Sequence, residues 1–159
     1  MTEFYSPDVW YNLCPNPDMA KIGPIVIIED DIDDKDLFIE ILSELQVPNK
    51  TVWFTRTEDA FDYLRATTDQ PFLIFSDVNL PKQNGIEFKR QLDSDPTLRK
   101  KSIPFIFYST SVAQKIVNEA YTKMTVQGFF QKANSYEEIK ENIRLIIDYW
   151  TACKHPNAD

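Results

Sequence analysis

Pro71–Gly85 reads PFLIFSDVNLPKQNG, an apolar run that stops on a single aspartate and passes straight into turn residues. Four consecutive bulky side chains, Phe72 to Phe75, suit a strand covered on both faces better than a half-exposed one. Asp77 then stands where a buried strand leaves the core. Leu80-Pro81 and Asn84-Gly85 break the strand, and glycine at 85 allows the positive φ that such a turn often needs. An aspartate here either caps turn amides or is a reactive carboxylate, and partners from elsewhere in the chain decide between the two.

Upstream, Pro24-Ile25-Val26-Ile27-Ile28 predicts another buried strand, and it also ends on acids: Glu29, Asp30 and Asp31. Leu37, Phe38, Ile41, Leu42 and Leu45 fall on one helical face, with Asp33 or Asp34 as the expected cap and Pro48 beyond the end. Asp33, Asp34 and Asp36 are accounted for as negative charge at a helix N-terminus. Glu29 and Asp30 precede that helix and need another reason. Thr51–Thr55 predicts a second strand and Glu58–Ala66 a helix.

Downstream, a helix is expected over Ile86–Leu92, stopped by Asp95-Pro96. Pro104–Tyr108 predicts a fourth strand, ending on Ser109. A helix marked by Ile116 to Met124 follows, then a short strand over Val126–Gln131 ending on Lys132. Ser135-x-x-Glu138 predicts a capping box for a long amphipathic closing helix through Trp150. Five strand–helix alternations argue for a doubly wound α/β fold with a parallel five-stranded sheet and helices on both faces. In such sheets ligands bind beyond the carboxyl ends of the strands. With strand order 2-1-3-4-5, Glu29, Asp30, Asp77, Ser109 and Lys132 would meet there.

The 159 residues, 43% apolar and 13% aromatic, match one ordinary domain with a real core. The expected division is an irregular extension over 1–23, a folded domain over 24–153 and a tail over 154–159. Net charge is −8 and the basic residues are scattered, so nucleic acid is not an expected partner. No apolar stretch approaches the roughly 18 residues that span a bilayer, and a secretory leader pattern is missing, which points to a soluble cytoplasmic protein. Cys14 and Cys153 lie at opposite ends with no metal-binding spacing, and the one histidine, His155, reads as a solvated tail residue. Histidine-dependent nucleophilic catalysis has little to build on.

Carboxylates brought together at about 4 Å repel by about 1 to 4 kcal/mol per pair, so the group needs cations. Lys132 supplies one charge, and a magnesium ion held by Asp30 and Asp77, with Glu29 acting through water, suits the rest. Asp77 would keep one oxygen free to attack phosphorus, and Lys132 and the Ser109 hydroxyl would bind the oxygens of the transferred group.

These residues resemble the response-regulator receiver domain of the chemotaxis-regulator type, over residues 24 to about 152. The acidic pair Glu29-Asp30, the phosphoacceptor Asp77, Ser109 and Lys132 match that family's pocket, and DVNLPKQNG at 77–85 is similar to its D-x-x-[ML]-P-x-x-[DN]-G. The resemblance implies a phosphoacceptor rather than a substrate-turning enzyme, charged by a histidine kinase or phosphotransfer protein and signalling by protein contact. It also implies that the Asn79 backbone carbonyl joins the metal ligands and that Ser109 and Phe129 form the switch, although Phe129 also reads as plain core. Two departures stand out. Ala133 follows Lys132 where the family has proline, and the aromatic switch position lacks a hydroxyl.

Two other readings compete. A degenerate receiver would bind partners without phosphorylation. A magnesium-dependent phosphohydrolase with an aspartate nucleophile resembles D-x-D, and Asn79 stands where its proton-shuttling aspartate belongs. Exposed aromatics for a contact face are sought at Tyr121, Phe129, Tyr149 and Trp150.

Overall fold

The computed structural model describes residues 21–156. The aromatics Phe4, Tyr5, Trp10 and Tyr11 and the cysteine Cys14 lie outside the described residues. Five strands form one parallel sheet in the order 2-1-3-4-5: β1 (Ile25–Ile28), β2 (Thr51–Phe54), β3 (Leu73–Ser76), β4 (Phe105–Ser109) and β5 (Gly128–Gln131). Between and after them run α1 (Ile32–Glu44), α2 (Thr57–Ala66), α3 (Gly85–Ser94), α4 (Pro96–Lys101), α5 (Gln114–Lys123) and α6 (Tyr136–Ala152).

Alternation along the central strands divides the core in two. Val26, Ile28, Ile74, Phe105 and Phe107 face α2, α3 and α5. Ile25, Ile27, Leu73, Phe75, Ile106 and Tyr108 face α1 and α6. Every residue of β1, β3 and β4 is buried, as continuous apolar runs in a two-sided sheet require. Each large apolar side chain among them contributes about 1.5 to 3 kcal/mol. β2, at the sheet edge, is half-buried throughout.

Local chemistry departs from expectation at several ends. The cap of α1 is Asp31, which accepts from the Asp33 and Asp34 N–H groups, rather than Asp33 or Asp34. Asp95 ends α3 but also caps a further short helix, α4, with Pro96 as its first residue, so the proline starts a helix there as well as stopping one. Ser135 caps α6 through the Glu138 N–H, whereas the full reciprocal box lies at Asn84 and Glu87 on α3. Gly85 does not take positive φ; Lys82 carries the left-handed conformation, at 65°. Glycine is needed at 85 because a Cβ would lie 2.2 Å from the Asp77 carbonyl oxygen. β5 starts at Gly128, two residues later than Val126.

His155 corrects the reading of a solvated tail residue. It is only 2% exposed, and its Nε2 lies 2.7 Å from the Phe72 carbonyl oxygen at the amino end of β3. Its ring also packs near Phe72 and Trp150. An apolar cradle and an available carbonyl outweigh the polar sequence around it.

Candidate functional site

The sheet ladder delivers the expected residues to one edge. Ile28 pairs with Ser76, and the Asp77 N–H continues the ladder by donating to the Ile28 carbonyl at 3.0 Å. On the other side of β1 the Glu29 N–H donates to the Phe54 carbonyl at 3.0 Å. Ser109 pairs with Gln131, and the Lys132 N–H donates back to the Ser109 carbonyl at 2.7 Å. Parallel register thus places Glu29, Asp77, Ser109 and Lys132 together.

Their side chains meet. Asp77, 8% exposed, accepts on Oδ1 from the Ser109 hydroxyl at 2.6 Å and from the Asn79 backbone N–H at 3.0 Å. The Lys132 ammonium donates to Glu29 Oε2 at 2.7 Å, Asp34 Oδ2 at 2.8 Å and Asp77 Oδ2 at 3.3 Å. Burial works against the Lys132 charge, but the bonds to Asp34 and Glu29 and the attraction of Glu29 and Asp77 outweigh it and hold the ammonium above the ordinary lysine range. Burial, aided by the Asp77 charge and opposed by Lys132, pushes the Glu29 carboxyl up to about 7. Beneath the ammonium lies the Tyr108 ring, 6.0 Å away, whose hydroxyl burial pushes up to about 12.

Glu29, Asp30 and Asp77 offer ligand oxygens that all lie within 4.8 Å of one another. An all-oxygen, three-carboxylate set fits a hard divalent cation such as magnesium or manganese and excludes the soft-ligand metals. Asp30 is the exposed member of the three and Glu29 and Asp77 the buried ones, so the set opens outward through Asp30. The Lys132-Ala133 bond is trans.

Two contacts were missed by sequence reasoning. Asp34, assigned there to the helix dipole alone, reaches Lys132 across the site. Trp53 on β2 donates its indole N–H to the Glu29 carbonyl at 2.7 Å and is itself covered by the Lys35 ammonium, 4.4 Å from its ring. Its strand position gave no signal of this, because Thr51–Thr55 reads only as a second strand. Phe129 is half-buried against Phe107, with ring centroids 5.2 Å apart, and its N–H donates to the Tyr121 hydroxyl. Tyr121 and Tyr149 are 53% and 62% exposed, whereas Trp150 is half-buried.

A family model described as the response regulator receiver domain matches residues 25–144. The chain belongs to this family. Among curated relatives, the probable methanogenesis regulatory protein FilR2 of Methanothrix harundinacea is 27% identical over 130 residues, spanning 79% of this chain and 82% of the relative. Among solved structures, the phosphorylated cyanobacterial phytochrome response regulator RcpA is 29% identical with a TM-score of 0.75, covering 84% of this chain and 98% of that one. The manganese-bound form of response regulator Rcp1, 23% identical with a TM-score of 0.72 and the same coverage, shares the fold. Receiver-domain proteins are in general signalling proteins, and no described helix here is long and apolar enough to cross a membrane.

Proposed function

We propose that this receiver is phosphorylated on Asp77 by a histidine kinase or phosphotransfer protein and signals by protein contact. The observation that carries the reading is Asp77 itself, held on Oδ1 by Ser109 and Asn79 while Oδ2 has a single longer bond to Lys132. Oδ2 keeps lone pairs for phosphorus. A bond forms between it and the phosphoryl group as the donor's phosphorus–nitrogen bond breaks, and the imidazole leaves with the electron pair. Lys132 and Ser109 then turn their donors to the phosphoryl oxygens, where charge develops. Magnesium, held by Asp30 and Asp77 with Glu29 through water and the Asn79 carbonyl, would neutralise charge on the same oxygens when bound.

The folded unit proposed for this role is 24–153, in a cytoplasmic setting. As Ser109 shifts from Asp77 to the phosphoryl group, Phe129 turns inward and the surface bearing Tyr121 and Tyr149 changes. Structures with and without magnesium beryllofluoride check this step: Ser109 and Phe129 are expected to move, and a superimposable pair would contradict it. The function is tested by mixing the protein with a phosphotransfer domain labelled on histidine. Label is expected to pass to the wild type and not to Asp77→Asn; label retained by the donor with both proteins, for several phosphotransfer domains, would count for a phosphorylation-independent binding module.

A further inference from the structure

Lys132 has three N–H bonds to give, and three carboxylates take them. Two are short, to Glu29 at 2.7 Å and Asp34 at 2.8 Å, and the third, to Asp77, is 3.3 Å. An ammonium is tetrahedral, so two short bonds fix the direction of the remaining N–H, which here is toward Asp77 Oδ2. Asp34 stands apart from the other anchor. It lies in the first turn of α1, outside the carboxylate cluster suited to a cation, so its bond to Lys132 does not compete with a metal. Its backbone N–H is tied to Asp31 Oδ1 at 3.1 Å, so Asp31 caps the helix and the Asp34 carboxylate has no capping role. The Asp34 side chain is 40% exposed against 9% for Lys132, so the anchor stays hydrated while the cation it holds is buried.

We propose that Asp34 is a positioning residue for phosphoryl transfer: it grips Lys132 from α1 so that the third N–H passes from Asp77 Oδ2 to the incoming phosphoryl oxygen without a search for orientation. The inference rests on the reading of Asp77 as phosphoacceptor. It also gives α1 a direct mechanical tie to the end of β5, since the Asp34–Lys132 pair joins residues 98 positions apart.

The test is the rate at which the full chain is phosphorylated by a small acyl phosphate at saturating magnesium, with melting temperatures measured in parallel. Asp34→Asn keeps the shape and the backbone cap but weakens the grip by removing the charge, and its rate is expected to fall by about tenfold or more, the scale of a misplaced catalytic group. Asp34→Glu, which restores a carboxylate with a longer arm, is expected to recover much of the rate. Asp33→Asn removes the same charge from the same helix turn without removing a carboxylate bound to Lys132, and is expected to react like wild type. Equal rates for Asp34→Asn and Asp33→Asn would overturn the inference, as would a loss that Asp34→Glu leaves uncorrected. A wild type that binds magnesium but takes no phosphoryl group would instead remove the phosphoacceptor reading beneath it.

Discussion

Two lysines are almost fully enclosed at different places in this molecule, and they live under opposite electrostatics. Lys132, at the carboxyl end of the sheet, is surrounded by Glu29, Asp34 and Asp77, with Asp30 close by. Lys89 on α3 has one carboxylate, Asp93 at 2.9 Å, and the Thr125 hydroxyl at 3.0 Å, and Asp93 in turn accepts from the Thr125 N–H. Burial outweighs the Asp93 attraction and lowers the Lys89 pKa, while it fails to lower that of Lys132. Lys89 and Asp93 form a balanced pair that pins α3 to the segment leading into β5. The Lys132 region carries surplus negative charge, which suits it to take up a further cation rather than to add stability.

Substitutions at the two lysines are expected to separate those roles. Lys132→Met removes a donor to the transferring group and should slow phosphorylation by about a thousandfold; a rate near wild type would erase the contrast. Lys89→Met leaves Asp93 without its ammonium and should lose about 3 kcal/mol of stability in denaturant melts. Its phosphorylation rate under native conditions should stay within about twofold of wild type, and a large rate defect would mean that the two regions are coupled.

The pH dependence sharpens the same contrast. The Glu29 value of about 7 in the folded protein lies above its usual 4.5, so between those values the folded state holds a proton that the unfolded state has released. The stability this group contributes is full below about pH 4.5 and is lost as pH rises through about 7. The ionised form attracts the metal more strongly, even through water, so magnesium affinity should climb with pH up to about 7. Calorimetric titrations between about pH 5.5 and pH 8 check this, and a flat profile would count against Glu29 as part of the metal set. The smallest effect is expected at the opposite end of the sheet. His155→Ala should cost about 1 kcal/mol by orphaning the Phe72 carbonyl, with no change in phosphorylation.

What the sequence made legible follows from how parallel sheets work. Buried apolar runs that end on polar residues give both the strand and the residue the site receives, so Glu29, Asp77, Ser109 and Lys132 could be placed from strand ends alone. Asp34, Trp53 and His155 could not. Each acts through a contact between residues far apart in sequence, 98 positions for Asp34 with Lys132 and 83 for His155 with Phe72. Their local settings also offered a sufficient other explanation: a helix dipole, a plain strand, a polar tail. Gly85 was legible as a required glycine but for a different cause, close approach to the Asp77 backbone instead of a left-handed turn.

The most direct test of the account is the intact mass of the full chain after incubation with a small phosphodonor and magnesium, beside a chelator control and Asp77→Asn. One added phosphoryl group that requires both magnesium and Asp77 is the predicted result. No adduct on the wild type, with magnesium bound but beryllofluoride refused, would contradict it.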